Sequence, residues 1–503
     1  MTNMLTRRRM LRNSAIGLAA LAVRPDHVLG QMNMPGMETS GMSPVLTPFV
    51  DALRIPPVLT PTLRGKTQFY TLTMRAGLAK VHRDLPTTVI WGFDGLYPGP
   101  TIKATRGRPV VVRQISRLPD THKQGGSEME MMYPSVHLHG AHVMPQDDGH
   151  PREAIGPGAF RDYHYPNQQR GATLFYHDHS HGQTGLHVYY GLAGGYLIDD
   201  PEERSLGLPR GDYDVPLLIQ DRVFSADGAL QYRLDGQTRE DGFLGDTILV
   251  NGVVQPYFKV ARRKYRFRII NASNARLYEL QLGSGAPLIQ IATDGGLLPK
   301  PMVKGVLDLS PAERADVVID FAAYPLGTQI VLKNCGNCVG SLASIMRFDV
   351  ELPSTEEATQ LPECLSSWED LPVTVQTVTR QFLLNRVTTA DGAVWTINNQ
   401  IYEMSNPPLA TVKQGAVETW KFLNQTGHRH PMHIHLVQFQ VLDINGVAQD
   451  PSVHGWKDTF VAPPNGQITV AARFNGSIGR YLFHCHNLEH EDLGMMADFE
   501  ITA

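Results

Sequence analysis

The sequence predicts an all-β protein, and three observations support this prediction. Turn-forming residues are plentiful, with 46 Gly and 35 Pro in 503 residues. Between them lie short runs that alternate apolar and polar side chains, such as 108–115, 265–270 and 439–442, as half-buried strands do. No long stretch shows the 3.6-residue periodicity of an amphipathic helix, which argues against a helical bundle or a doubly wound α/β fold.

The length of the chain indicates the number of domains, and its net charge indicates which partners are not expected. At roughly 150 residues per domain, a chain of 503 residues predicts about three domains. Hydrophobic residues make up 42% and charged residues 19%, which is typical of a globular protein with a proper core. The net charge of −4 gives no basic surplus, so a nucleic-acid partner is not expected.

Residues 1–30 are predicted to be a twin-arginine signal peptide. Arg7-Arg8-Arg9 precedes a short apolar run, 15–23, that is too short to span a bilayer. The alternative is a basic N-terminus of chance composition. No other apolar stretch reaches about 18 residues, so we expect no membrane span. The prediction is a periplasmic or secreted protein, exported already folded by the twin-arginine machinery.

A methionine-rich segment, 31–52, follows the predicted signal peptide. Met32, Met34, Met37 and Met42 lie within eleven residues of one another. Thioethers are soft ligands that suit Cu(I), so the segment could bind that ion. A tail that is merely rich in methionine explains the pattern equally well, and both interpretations stay open.

The four cysteines are too few for a disulfide framework in a chain of this length. Cys335 and Cys338 form a C-x-x-C pair, and no further ligands for a zinc site are obvious nearby. A local disulfide between them is one possibility and free thiols are the other. Cys364 is isolated, whereas Cys485 lies inside a histidine cluster.

Ten of the 20 histidines fall in four tight groups. Residues i and i+2 of a strand point to the same face, so each H-x-H pair directs two imidazoles into one space. Four such pairs supply eight nitrogen ligands, enough for three copper ions with positions left for oxygen. One pair could be a coincidence, but four together are not, and zinc needs four ligands rather than twelve. The eight histidines are His137, His139, His177, His179, His433, His435, His484 and His486.

The fourth group also predicts a second kind of site. If His484 and His486 face one way, Cys485 between them faces the other. A Cys thiolate, two His and a weak axial Met form a blue-copper electron-transfer site. One short strand would then join the two sites through covalent bonds. The predicted ligands of the blue site are His430, Cys485, His490 and Met495.

At these residues the chain resembles the multicopper oxidases, which include laccases, ascorbate oxidase and bilirubin oxidase. The resemblance runs from about Leu53 to the C-terminus and is greatest to the branch of bacterial spore-coat laccases and bilirubin oxidases. Residues 182–185 and 191–194 look more like bacterial cuprous oxidases. The stretches that carry the main resemblance are 164–170, 175–179, 248–252, 265–273, 294–299 and 484–496.

The resemblance implies three cupredoxin domains, each a Greek-key β-sandwich. The domains would cover 53–205, 206–352 and 386–503, with a linker at 353–385. Similar alternating runs at 110–112, 265–270 and 417–422 give weak internal support. The middle domain has no ligand motif and would be a scaffold, with the three-copper cluster between the first and third domains.

The resemblance also implies a role for each ligand and a total of four copper ions. Two carboxylates, Asp148 and Glu491, would supply protons to oxygen, although turn or capping roles are the alternative. Asp178, between two ligands, would face away and be structural. The implied ligands are His137 and His433 for type 2 copper, His139, His177 and His486 for one type 3 copper, His179, His435 and His484 for the other, and His430, Cys485 and His490 with axial Met495 for type 1 copper.

The implied reaction couples one-electron oxidations of a small reducing substrate at type 1 copper to four-electron reduction of dioxygen to two waters. Cys485, Asp148 and Glu491 would be catalytic residues. A laccase-like oxidase of phenols or aromatic amines is the first hypothesis. A metallo-oxidase acting on Cu(I) is the second, although 352–374 has no Met where cuprous oxidases carry a Met-rich insert. A non-catalytic copper-binding scaffold is disfavoured, because every ligand is present.

Overall fold

A computed structural model describes residues 42–119, 121–124, 127–130, 133–336, 340–353, 360–390 and 392–503. These residues are organised into six large sheets, two in each third of the chain, and each pair of sheets encloses a hydrophobic core. The fold is therefore all-β with three cupredoxin-like sandwiches, as the sequence predicts. Residues 1–41, which contain the predicted signal peptide and the first part of the methionine-rich segment, lie outside the described residues.

The first sandwich packs a sheet of order β1-β2-β5-β9, with β3 on β2, against a sheet of order β4-β11-β10-β8; β6 and β7 form a separate hairpin. Helix α1, Thr184–Tyr190, lies between β10 and β11. The strands are β1 Thr62–Arg64, β2 Thr67–Ala79, β3 Thr88–Phe93, β4 Gly99–Thr105, β5 Val110–Arg117, β6 Thr121–Gln124, β7 Ser127–Glu130, β8 Val136–His139, β9 Phe160–Tyr165, β10 Ala172–Asp178 and β11 Ala193–Asp199.

The second sandwich packs a sheet of order β14-β13-β12-β16-β21-β18-β19 against one of order β15-β23-β22-β17-β20. Helix α2, Gly236–Asp241, lies between β12 and β13. The strands are β12 Asp214–Arg222, β13 Thr247–Val250, β14 Val253–Val254, β15 Tyr257–Ala261, β16 Lys264–Asn271, β17 Tyr278–Leu282, β18 Leu288–Thr293, β19 Gly296–Lys304, β20 Leu307–Leu309, β21 Arg314–Asp320, β22 Gln329–Asn334 and β23 Ser344–Leu352.

The third sandwich packs a sheet of order β25-β24-β27-β32-β29-β30 against one of order β26-β34-β33-β28-β31. It contains two short helices, α3 Pro451–His454 and α4 Leu488–Asp492. The strands are β24 Val378–Thr389, β25 Gly392–Ile397, β26 Ala410–Lys413, β27 Val417–Asn424, β28 His430–Ile434, β29 Phe439–Ile444, β30 Val447–Ala448, β31 Thr459–Ala462, β32 Gln467–Arg473, β33 Gly479–Cys485 and β34 Met496–Thr502.

Short 3₁₀ turns connect several of these strands. No helix in the described part of the chain is long and apolar enough to cross a membrane. The 3₁₀ turns are Pro145–Asp147, Pro151–Glu153, Pro201–Leu206, Gly211–Tyr213, Phe321–Ala323 and Gly340–Ala343.

Two details differ from a simple succession of domains. Leu53 lies in the core of the second sandwich, and its amide donates to the carbonyl of Tyr257 at 2.7 Å. Strand β24 begins at Val378, inside the predicted linker, because its first residues pair in parallel with β27. The domain boundaries drawn from the sequence stay predictions.

Candidate metal centres

Two pairs of adjacent strands carry the histidine motifs. In the first sandwich, β8 pairs with β10, which places His137 opposite His177. In the third sandwich, β28 pairs with β33, which places His433 opposite His484. Because alternate residues share a face, the partners at i+2 join them in the same space.

The eight imidazoles predicted for the cluster converge between the first and third sandwiches. They form three buried groups of three, with His435 shared by two groups, and within each group the ligand atoms lie within 4.8 Å of one another. Both ends of the chain contribute to every group, so the site exists only when the two sandwiches are packed together. The groups are His137, His433 and His435; His139, His177 and His486; and His179, His435 and His484.

Many nitrogens at the centre of this cluster have no hydrogen-bond partner. A buried polar atom without a partner costs about 1–3 kcal/mol, so a folded protein rarely leaves several together. Imidazole nitrogens are good copper ligands, and the donor set therefore fits copper. The buried atoms without a partner include Nε2 of His137, His177 and His433, Nδ1 of His139 and both ring nitrogens of His486.

Burial favours the neutral form of the His137, His177 and His433 imidazoles. It lowers the pKa of His177 to about 4 and that of His433 to about 3. Burial, followed by the neighbouring imidazoles, lowers the pKa of His137 well below its ordinary value. A neutral imidazole offers a lone pair to a metal ion, whereas a protonated one does not.

The other ring nitrogens are fixed by acceptors outside the cluster. Nδ1 of His137 donates to the carbonyl of Asp148 at 2.6 Å, and Nδ1 of His433 donates to the carbonyl of Asp458 at 2.7 Å. Nδ1 of His435 donates to Oδ2 of Asp148 at 2.8 Å. Such bonds select the tautomer and orient the ring, as they do around metal-binding histidines in general.

The two carboxylates predicted to lie near the cluster both contact it. Asp148 is buried, and burial raises the pKa of its carboxyl well above the usual range. Glu491 is also buried, with Oε2 at 2.9 Å from Nδ1 of His484 and Oε1 at 3.4 Å from Nδ1 of His179. Each carboxylate therefore lies against an imidazole of the cluster rather than in an exposed turn.

Asp178 faces away from the cluster, as the strand alternation predicts. Its Oδ1 accepts from the amide of Ser135 at 3.0 Å. Its Oδ2 accepts from Oγ of Ser180 at 2.7 Å and from Nδ1 of His187 at 2.8 Å. Its contacts are those of a structural residue that fixes the loop after β10.

A second centre lies on the other face of β33. The Sγ atom of Cys485 is 3.5 Å from Nδ1 of His430 and 3.9 Å from Nδ1 of His490, and these two nitrogens are 3.2 Å apart. All three side chains are buried. The amide of Asn487 donates to the sulfur at 3.4 Å. A thiol and two imidazoles within one such space form the donor set of a blue-copper site.

Met495 is fully buried beside this centre, and its carbonyl accepts from the amide of Cys485 at 2.9 Å. Burial raises the pKa of the Cys485 thiol far above its usual value and lowers that of His490 to about 3. A thiol that resists ionisation in an apolar site requires a cation beside it to become a thiolate. Copper is such a cation.

The surroundings of His490 were not predictable from the sequence. Its Nε2 donates to the carbonyl of Glu240, at the end of helix α2, at 2.9 Å. The ring of Trp395 lies 4.1 Å from that of His490, measured between centroids. His490 and His430 are both buried, so a substrate cannot touch either ring directly. Glu240, whose carbonyl accepts from His490, and its neighbour Asp241 both reach the molecular surface, with side chains about one-third exposed.

The other two cysteines that the structure describes lie outside both centres. Cys335 and Cys364 are exposed, and the described cysteines form no disulfide with one another. Cys338 lies outside the described residues, so its pairing with Cys335 stays a prediction.

Comparison with known proteins is consistent with this geometry. Two family models, both described as multicopper oxidase, match residues 78–203 and 373–503. A laccase of Bacillus subtilis is 40% identical over 91% of this chain and 99% of its own length. The chain belongs to the multicopper oxidases. A bilirubin oxidase of Albifimbria verrucaria is 34% identical over 92% of this chain and 82% of its own length.

Solved structures of laccases have the same fold as this chain. A crystal structure of a laccase from Pediococcus acidilactici superposes with a TM-score of 0.81 at 31% identity, covering 93% of this chain and 97% of the other. This multicopper oxidase is therefore a laccase-like oxidoreductase. Its cofactor is copper, and its co-substrates are a reducing substrate and dioxygen.

Proposed function

We propose that this multicopper oxidase binds four copper ions, one in the centre of Cys485 and three among the eight clustered imidazoles. The observation that carries the proposal is the set of buried ring nitrogens that lack a partner and converge from two sandwiches. The proposed ligands are His430, Cys485, His490 and Met495 for type 1 copper, His137 and His433 for type 2, and His139, His177, His486, His179, His435 and His484 for the type 3 pair.

Copper in these sites would supply reversible one-electron chemistry and the binding of dioxygen. Four one-electron oxidations deliver four electrons, which together with four protons convert one dioxygen to two waters. The backbone and side chain of Cys485 connect one centre to the flanking His484 and His486 in the other. Asp148 and Glu491 lie against imidazoles of the cluster, where their carboxyl groups relay protons toward dioxygen.

Phenols and aromatic amines are the proposed reducing substrates, and we place their docking surface over helix α2. Side chains of Glu240, Asp241 and His428 are each about one-third exposed and lie together there. The Glu240 carbonyl bonded to His490 gives an electron a route from this surface to the buried ring. Arg386 forms an ion pair with Glu240 at this surface, so the net negative charge there is small and disfavours an anionic substrate only weakly.

Replacement of the cysteine ligand tests the proposal. Cys485→Ser should abolish both the blue thiolate-to-copper absorption band and turnover of a phenolic dye, because a hydroxyl does not replace the thiolate. Cys364→Ser is the matched control, since this exposed cysteine is outside both centres, and it should keep both properties. Survival of the band and turnover in Cys485→Ser would refute the assignment.

The methionine-rich segment favours a second candidate, oxidation of Cu(I). The test compares kcat/KM for a phenolic dye and for Cu(I) with and without residues 31–43. Efficient Cu(I) oxidation that falls on deletion supports this candidate, whereas indifference to the deletion supports the laccase-like reaction.

We further propose that the enzyme is exported by the twin-arginine machinery to the periplasm or beyond. The Arg7-Arg8-Arg9 motif and the short apolar run after it support this proposal. Replacement of Arg7, Arg8 and Arg9 by Lys should retain the protein inside the cell, as measured by fractionation. Unchanged export would refute it.

A further inference from the structure

The second sandwich supplies no proposed copper ligand, yet one of its arginines connects all three sandwiches. Arg314, the first residue of β21, is fully buried. Its Nε donates to the carbonyl of Thr173 in the first sandwich at 2.9 Å. Its Nη1 and Nη2 donate to Oδ1 and Oδ2 of Asp458 in the third sandwich, at 2.6 and 2.5 Å.

The two remaining guanidinium protons are bonded within the second sandwich. Nη1 donates to the carbonyl of Ala312 at 2.9 Å and Nη2 to the carbonyl of Asp294 at 3.2 Å. A guanidinium has five N–H donors in a fixed planar arrangement, and all five are used here. No other side chain type could make this set of bonds.

Asp458 in turn contacts two imidazoles of the cluster. Its Oδ1 accepts from Nε2 of His139 at 3.1 Å, and its carbonyl accepts from Nδ1 of His433 at 2.7 Å. A neutral imidazole has one N–H, so each bond fixes which nitrogen keeps a lone pair. For His139 that nitrogen is Nδ1 and for His433 it is Nε2, and both are buried without a partner.

The surrounding backbone restricts the positions of the Arg314 and Asp458 side chains. Gly140, directly after the ligand motif of β8, has φ of +87°, and a Cβ there would lie 2.6 Å from Oδ2 of Asp458 and 2.7 Å from Nη2 of Arg314. Asp294 adds a second constraint, because its Oδ1 accepts from the amide of Arg314 at 2.8 Å. The backbone therefore closes around the pair on both sides.

We propose that Arg314 is a positioning residue for the three-copper cluster. Through Asp458 it fixes the tautomer and orientation of His139, the proposed type 3 ligand, and of His433, the proposed type 2 ligand. The inference rests on the copper assignment proposed above and gives the second sandwich a direct part in the active site. Without the guanidinium, Asp458 loses the bidentate bond that fixes the orientation of its carboxylate, so its bond to Nε2 of His139 is no longer held in place.

The test replaces the arginine and follows the metal. Arg314→Lys keeps the positive charge but cannot make the bidentate bond to Asp458 or the bond to Thr173. Loss of such outer contacts typically costs about 10–100-fold in metal affinity, so the cluster copper should be lost to a chelator at about 10–100-fold lower chelator concentration. The blue band of the Cys485 centre should persist, because Arg314 has no described contact with that centre.

Arg268→Lys is the matched control. Arg268 is also buried at this interface and donates to both oxygens of Asp214 at 2.7 and 2.8 Å and to Oγ1 of Thr173 at 3.1 Å. It has no described bond to a cluster histidine. Its replacement should lower the thermal midpoint of unfolding but leave type 2 copper, followed by its electron paramagnetic resonance signal, at the wild-type chelator midpoint.

Copper retention is also measured for Asp458→Asn and for the wild type. These two measurements distinguish failure of the inference about Arg314 from failure of the copper assignment. Asp458→Asn retains volume and the carbonyl bond to His433 but removes the charge opposite Arg314, and it should also lose cluster copper while keeping the blue band. If Arg314→Lys and Asp458→Asn fold and hold cluster copper as tightly as the wild type, or if Arg268→Lys loses as much, the inference is refuted. If the wild type itself binds no cluster copper, the proposed function fails instead.

Discussion

A carboxylate beside the cluster can orient an imidazole or supply protons. Replacement of Asp148 by Asn separates these two roles. The side chain accepts from Nδ1 of His435 at 2.8 Å, and its backbone carbonyl accepts from His137. An amide oxygen can still accept from His435, and the backbone bond is unaffected by the change. Asp148→Asn therefore keeps the positioning of both rings and removes only the charge and the exchangeable proton.

The expected size of each effect can be calculated from this geometry. A hydrogen bond to a charged group contributes about 1.5–3 kcal/mol, and a charge-assisted bond is roughly twice as strong as a neutral one. The exchange of carboxylate for amide then costs about 0.8–1.5 kcal/mol, or about 4–13-fold in rate. General acid–base catalysis contributes about 10²–10⁴-fold. If Asp148 supplies protons, we expect kcat to fall by about 100-fold or more.

The assay measures kcat in oxygen-saturated buffer on protein with a full copper load. Anaerobic bleaching of the blue band by the reducing substrate should keep its wild-type rate, because that step occurs at the other centre. Asp147→Asn is the control: Asp147 is buried next to Asp148 but accepts from His164 and has no described contact with the cluster. A decrease below about 13-fold for Asp148→Asn, or an equal decrease for the control, would refute proton supply by Asp148.

Two further predictions concern the metal centres. Met495→Leu should keep the blue band but raise the reduction potential of the centre, measured by redox titration, because an axial thioether tunes that potential; Met496→Leu is the control, and a shift in the control alone would move the axial role to Met496. Copper-free protein should become less stable as pH falls from about 6.5 toward 4, because the unfolded chain takes up protons that folded His177 and His433, with pKa values of about 4 and about 3, do not. Thermal unfolding against pH checks this, and a flat profile would contradict it.

Local patterns in the sequence predict the fold class and the grouping of the ligands well. The alternating run 265–270 lies within β16, Lys264–Asn271, and the run 439–442 lies within β29, Phe439–Ile444. The H-x-H motifs work in the same way, because a two-residue repeat on a strand directs both rings to one face. In each case the signal and the structure it predicts are only a few residues apart.

The contacts outside the ligand set were not predictable, because they join parts of the chain that are distant in sequence. Asp458 lies between Lys457 and Thr459 and looks like part of an ordinary polar turn, although its carboxylate contacts His139. Arg314 begins a strand of the sandwich that was expected to be a scaffold. These contacts depend on how three sandwiches pack together, and no periodicity in one segment contains that information.

The joint origin of the cluster from both ends of the chain also affects how the enzyme is made. Domains fold as units during synthesis, the N-terminal one first, so the first sandwich exposes its four imidazoles before the ribosome has reached His433. At that stage each group of the cluster lacks at least one ring, and a nascent chain would hold copper only weakly. We expect firm loading to follow chain release, so that copper supply rather than translation sets the time at which the enzyme becomes active.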